Sequence, residues 1–326
     1  MTTPPPVIDT DLVIIGAGPA GLFSAYYAGF RGLRVAVVDS LPELGGQVSA
    51  MYPEKSILDV AGFPDIKGRD LVNGLVTQAA TAAPTYLLGR SATTLESTDG
   101  TVRVGLDDGT SVTAGAALIT AGIGKFSPRP LPAGEEWVGR GVEFFVPSFA
   151  PYADKDVVIV GGGDSAFDWA QHLVPIARSV TLVHRRTAFR AHARTVEQVQ
   201  ASSVEIITPA QVVALHGEDT LAEIELDVDG EKVRRPAQAV IAALGFVADL
   251  GPMKEWGLEL DKRHVVVDSA MRTNLDRVFA AGDITEYPGK VRLIAVGFGE
   301  AATAVNNAAV AIDPDAHVFP GHSSEG

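Results

Sequence analysis

Unbroken apolar runs of four or five residues alternate along this chain with stretches in which apolar positions return every third or fourth residue. Leu12 to Ile15 is one such run, "LFSAYYAGF" has the helical spacing, and "RVAVVDS" is the next run. A strand covered on both faces needs continuous apolar character, and its alternation with helical segments predicts a parallel sheet flanked by helices. The order recurs from Val157 to Val160, through a helix whose first turn carries Asp164 and Ser165, into "SVTLVHRR". Further strands run to "VIAALGF". "RVFAAGDI" then predicts a strand ending at Ala281, Gly282 and Asp283, before an alanine-rich helix that opens near Glu300.

Glycines sit at both strand-to-helix turns. Gly16, Gly18 and Gly21 have GxGxxG spacing, and Pro19 and Ala20 fill the gap. The first glycine permits the turn, the second lets backbone approach a pyrophosphate, and the third lets helix and strand pack closely. The helix N-terminus then faces the anion. Asp39, at the end of the following strand, is placed to accept hydrogen bonds from ribose hydroxyls, which favours a nucleotide lacking a 2′-phosphate. This motif alone does not separate FAD from NAD. The segments "LGGQVSAMYPEK" and "AAGDI…GFGEAATAVNNAAVAI" do: Asp283 can bind a ribitol hydroxyl or phosphate-linked water, and the positive end of the next helix can stabilise charge on a flavin pyrimidine ring.

The second turn carries Gly161, Gly162 and Gly163, with Asp164 and Ser165 opening the helix and Ala166 as a small residue in place of the third glycine. Where the first unit has Asp39, this one has His184, Arg185 and Arg186, with Arg190 a little further on. Between Arg178 and Arg194 there are five arginines, two histidines and no acid, although the chain as a whole carries a net charge of −14. Guanidinium groups after the second strand suit a 2′-phosphate, because each can make bidentate charge-assisted contacts. One unit is therefore expected to hold FAD and the other NADPH.

At 326 residues the chain has room for two domains, each with its own core. The expected fold class is α/β: two dinucleotide-binding (Rossmann-like) domains, the NADP domain inserted into the FAD domain. The expected boundaries are 9–124 and 279–326 for the FAD domain and 125–278 for the NADP domain. No apolar run is long enough to span a bilayer, and the first ten residues lack the pattern of a secretory signal, so a cytoplasmic protein with a short leader and no membrane association is expected. The acidic balance disfavours nucleic acid. The chain has no cysteine, which removes disulfides, thiolate metal sites and thiol nucleophiles together, and no metal site is expected.

The motifs "GAGPAG", "GGQVSAMYPEKSILDVAGFP", "AGIGKFSPR", "GGGDSA", "HRRTAFRA", "AAGDI", "GFGEAATAVNNA" and "FPGHSS" extend from about Asp11 to Ser324. Through them the chain resembles the ferredoxin–NADP reductases of thioredoxin-reductase type, with "SAMYPEK…DVAGFP" and the histidine-bearing tail as the specific signals. The resemblance implies FAD contacts from Asp39, Gln47, Tyr52, Ala92, Phe126, Asp283 and Ser324. It also implies that Tyr52 stacks on one flavin face and that His322, from the partner subunit of a homodimer, covers the other. On residue chemistry alone, Tyr52 is a packed loop residue and His322 a solvated tail histidine.

Thioredoxin reductases carry a CxxC in the region where this chain has "VEFFVPSFAPYADKD", so no thiol relay is available. The remaining route is hydride from NADPH to flavin, then single-electron transfer to an external carrier, which requires orientation and shielding rather than a catalytic triad. The expectation is an NADPH-dependent reductase of ferredoxin or flavodoxin. Two alternatives stay open: an NADPH oxidase or quinone/diaphorase-type flavoenzyme, and a non-catalytic FAD/NADP-binding regulatory protein.

Overall fold

The computed structural model describes residues 6–319 and 321. The chain forms two compact units: unit 1 takes in residues up to Lys125 and from Ala248 onward, and unit 2 is Phe126–Val247.

Unit 1 is built on β1 (Val7–Ile15), α1 (Pro19–Phe30) and β2 (Val35–Asp39). β1 pairs in parallel with β2 and with the strand Ser111–Ile119, so that Ile15 lies between Val38 and Ile119. Thr85–Leu88 extends the parallel sheet beyond β2, and Val278–Ala280 pairs in parallel with the end of Ser111–Ile119. Covered on both faces, the central strands bury Leu12, Ile14, Leu118 and Ile119 completely, which is why their sequences are unbroken apolar runs. Two further helices, α2 (Gly46–Met51) and α3 (Gly68–Ala80), follow β2.

In unit 2, five parallel strands lie in the order Val142–Glu143, Ala239–Ala243, Asp156–Gly161, Ser179–Val183 and Glu205–Ile207. Its helices are α4 (Asp164–Leu173) and α5 (Ala193–Gln200). A separate antiparallel meander, Ala210–Gly217, Leu221–Val228 and Glu231–Pro236, contributes Leu215, Ile224 and Leu226 to the buried core of this unit.

Two expectations are corrected. The chain returns to unit 1 at Ala248, not near residue 279. Leu250, Met253, Trp256 and Leu258 join the core of unit 1, and the Trp256 indole donates to the Thr93 carbonyl at 3.1 Å. The elements between 248 and 277 are too short to give a periodic signal: a five-residue 3-10 helix and strands of two and three residues. The alanine-rich helix α6 spans Ile294–Ile312 and so opens six residues before Glu300. Gly297 and Gly299, poor helix formers, lie in its first turns and hide its start in the sequence.

Candidate dinucleotide sites

At the first turn, Gly16 has φ +117°, and a Cβ there would lie 2.4 Å from the Thr120 carbonyl oxygen. A Cβ on Gly21 would lie 1.9 Å from the Gly16 carbonyl oxygen, so that helix and strand touch through backbone. A Cβ on Gly18, by contrast, would meet nothing within 4 Å. Packing explains the outer two glycines and not the middle one, whose bare backbone faces open space, as close approach of a pyrophosphate requires. Gly18 is the N-cap of α1 and Pro19 its first residue, a position where proline's missing N–H costs nothing.

The Asp39 carboxylate is held against this turn. It accepts from the backbone N–H of Ala17 at 2.6 Å and of Leu41 at 2.8 Å. Burial pushes its pKa up while these two donors pull it down. A carboxylate offers about four lone-pair positions, so acceptor capacity remains for ribose hydroxyls.

The same unit brings Gly282 and Asp283 to the start of α1: a Cβ on Gly282 would lie 3.1 Å from the Ala20 methyl. Among the described residues no donor reaches the Asp283 carboxylate, which is half-buried. Burial raises its pKa, with Lys290 and Arg292 acting in the opposite sense. Tyr52 follows α2 directly, and burial, with Asp283 and Asp59 nearby, pushes its phenol up to about 12. The amide of Gln47 lies against Gly122, where a Cβ would sit 2.6 Å from its nitrogen. Ala92 opens the antiparallel strand Ala92–Thr98 and is half-buried.

The second turn repeats the first sterically. A Cβ on Gly161 would lie 2.4 Å from the Ala243 carbonyl oxygen and 3.0 Å from the Ala166 methyl, whereas one on Gly163, the N-cap of α4, would meet nothing within 4 Å. Gly162 lies against the His184 ring, 2.4 Å from where its Cβ would be. The arginine loop folds back over the turn: the Arg190 N–H donates to the Gly162 carbonyl at 2.7 Å, and the His192 N–H to Asp164 at 2.9 Å. Phe189 anchors the loop, 4.8 Å from Phe167 and 5.7 Å from the His184 ring. Burial, then the neighbouring arginines, lower the His184 pKa, and a backbone hydrogen bond at Ala188 opposes them. Arg185, Arg186 and Arg190 are exposed, as is Ser165. Among the described residues none of these three guanidinium groups forms an ion pair, and unneutralised cations around an open glycine turn are suited to an anion.

Phe126 belongs to unit 2, where its ring packs edge-on against Phe145 at 6.3 Å and Phe246 at 5.9 Å. His322 and Ser324 lie outside the described residues. Two features carry little sequence signal. Thr120 donates its hydroxyl to the Gly16 carbonyl at 2.8 Å, fixing the first turn from the neighbouring strand. Lys290, Tyr287 and Glu300 form a buried polar cluster on the Gly282 backbone. Only a lysine in a glycine loop and a glutamate inside an alanine-rich helix hint at the second.

Two glycine turns on parallel sheets, one unit interrupting the other, define the class of two-domain dinucleotide-binding oxidoreductases. A family model described as pyridine nucleotide-disulphide oxidoreductase matches residues 10–309. A ferredoxin–NADP reductase of Nocardioides sp. is 77% identical over 323 residues, 98% of each chain, and one of Salinispora arenicola is 64% identical over 319 residues, 98% of this chain and 99% of its own. A crystal structure of T. acidophilum thioredoxin reductase matches with a TM-score of 0.78 at 25% identity, covering 94% of this chain and 99% of that one. The chain belongs to the pyridine nucleotide-disulphide oxidoreductase family and, within it, to the ferredoxin–NADP reductases of thioredoxin-reductase-like type. It has no cysteine for disulphide exchange, and among the described residues no helix is long and apolar enough to cross a membrane.

Proposed function

We propose that the chain transfers electrons between NADPH and ferredoxin, with FAD held by unit 1 and NADPH by unit 2. One observation carries this reading: the same open glycine turn occurs twice, closed by the carboxylate of Asp39 in unit 1 and surrounded in unit 2 by guanidinium groups that have no ion-pair partner among the described residues. The names of the ferredoxin–NADP reductase relatives supply the acceptor.

In unit 1, the backbone of Gly16, Gly18, Pro19, Ala20 and Gly21 would cradle the FAD pyrophosphate and Asp39 the adenosine ribose. Gln47, Tyr52, Ala92, Gly282 and Asp283 would orient the flavin portion, joined by Phe126, His322 and Ser324 on family position. In unit 2, the turn Gly161–Gly163 with Asp164, Ser165 and Ala166 would hold the NADPH pyrophosphate, and Arg185, Arg186 and Arg190, with His184 beside the turn, its 2′-phosphate. Bound flavin supplies a two-electron hydride acceptor that can return electrons singly, so one NADPH serves two single-electron carriers. The protein groups orient and shield. Tyr52, with its phenol near 12, stays protonated through neutral pH and can stack without acting as a base. Flavodoxin as an alternative acceptor, a cytoplasmic location and a homodimer in which the partner contributes a tail residue belong to the same reading.

The visible spectrum of the purified protein tests it. Flavin absorbance should bleach on NADPH and recover on addition of oxidised ferredoxin. A protein that takes up no FAD overturns the assignment. Bleaching followed by recovery only with oxygen or quinone selects the oxidase or diaphorase reading, and bound FAD that NADPH never reduces selects the regulatory one.

A further inference from the structure

The Lys290–Glu300 pair is buried, with side chains 1% and 4% exposed and Nζ 2.5 Å from Oε1. Both partners grip one residue. Glu300 accepts from the Gly282 N–H at 2.7 Å, while Lys290 donates to the Gly282 carbonyl at 2.9 Å. Tyr287 donates to the same Glu300 oxygen as Lys290, at 2.6 Å, and Thr285 donates to the Gly282 carbonyl at 2.8 Å. Gly282 has φ +83°, and the next residue is Asp283, whose carboxylate has no donor among the described residues. The other titratable groups beside this turn are Glu286 and Arg292, paired with each other at 2.6 Å, and the imidazole of His264.

A buried ion pair contributes little net stability compared with an apolar replacement, so fold stability alone is a weak reason for this one. Here each charge cancels the other next to the Asp283 carboxylate, which accepts from no donor among the described residues. We propose that Lys290 and Glu300 are positioning residues that fix the Gly282–Asp283 turn and hold the local charge neutral, and thereby set the reduction potential of the flavin in unit 1. The inference rests on the assignment of FAD to that unit. Reduction adds negative charge to the flavin, so an unbalanced buried cation favours it and an unbalanced carboxylate opposes it, over distances at which water would screen both.

The test is the flavin midpoint potential of FAD-reconstituted wild type, Glu300→Gln, Lys290→Met and the double variant, titrated against a dye of known potential. Lone buried charges tend to neutralise themselves. All four proteins are therefore measured at both pH 6 and pH 8, and the larger shift of each single variant is taken. The expected result is a shift of about tenfold in the two-electron reduction equilibrium, roughly 30 mV, upward for Glu300→Gln and downward for Lys290→Met. The double variant should return close to wild type. A clamp with no electrostatic role would weaken FAD binding in both single variants without shifts of opposite sign, and that result overturns the proposal. Should Lys290→Met not fold, an upward shift in Glu300→Gln that disappears in the double variant carries the test, and its absence is decisive against. Failure of the wild type itself to take up FAD defeats the assignment of the cofactor instead, so the two failures are told apart.

Discussion

The first glycine turn is closed by an acid pinned to its own backbone, with Ala17 donating to Asp39 at 2.6 Å. The second is closed by a loop that folds over it, with Arg190 donating to Gly162 at 2.7 Å and the guanidinium groups left outside. Sterically the two are alike, since both have a tight first glycine and an open glycine at the helix N-cap. The difference lies at the end of the second strand, where unit 1 has Asp39 and unit 2 has Arg185 and Arg186. On the proposed reading the glycines would build a phosphate cradle in either unit, and the residue at the end of the second strand would decide which nucleotide the cradle accepts.

Four measurements would break or sharpen that comparison. The largest effect is expected where backbone touches backbone: Gly21→Val, beginning with a Cβ 1.9 Å from the Gly16 carbonyl oxygen, should destabilise unit 1 by about 3 kcal/mol or prevent its folding, as overpacking in a tight core does. Hydrogen exchange should locate the loss in unit 1 and leave the amides of Asp156–Gly161 protected.

Next comes Arg185→Ala with Arg186→Ala, which should cost NADPH binding roughly 2–4 kcal/mol, taking about 1.5–3 for each hydrogen bond to a charged group and allowing for non-additivity. Titration with NADH should give nearly the wild-type affinity, and equal losses for both cofactors would count against the arginines as readers of the 2′-phosphate.

Gly18→Ala and Gly163→Ala introduce methyl groups into open space, so thermal stability should hold. Each should weaken one cofactor by about tenfold, on the order of 1.4 kcal/mol: FAD for Gly18→Ala and NADPH for Gly163→Ala. Loss of both cofactors from either variant would mean that the turns are not independent.

The smallest effect concerns Asp283. Burial raises its carboxyl pKa in the folded chain above the unfolded value, so the folded state binds this proton more readily. Its buried charge therefore destabilises the apoprotein above the folded pKa, and the penalty disappears once pH falls below the unfolded one. Asp283→Asn should be slightly more stable than wild type at neutral pH, without FAD, and the difference should close on acidification. Chemical unfolding at several pH values checks the sign.

Much of this was legible in the sequence because it depends on residue type at fixed spacing. The runs at Leu12–Ile15 and Val157–Val160, the two glycine turns and the arginine loop all declare themselves locally. The return of the chain at Ala248 did not, because Trp256 meets Thr93 only after folding, across 163 positions. The start of α6 was obscured by glycines within the helix, where packing outweighs propensity: Gly297 lies against Gly282, and an added Cβ would approach its Cα to 3.4 Å. The Lys290–Glu300 pair was invisible for the same kind of reason, since nothing in either residue's neighbours marks it as buried.

The interruption of unit 1 reverses the usual order of events on the ribosome. Domains tend to fold as units from the N-terminus as the chain is made. Here the first 125 residues emerge without the strand Val278–Ala280, without α6, and without Leu250, Met253 and Trp256 from their core. Unit 2 is complete once Val247 has cleared the exit. The second unit to be started is thus the first that can finish, and the N-terminal segment must wait with its apolar strands unfinished. A nascent chain halted with Val247 just outside should show protected amides in unit 2 and open ones between Val7 and Ile119; protection of both would mean that the early segment does not need its distant partner.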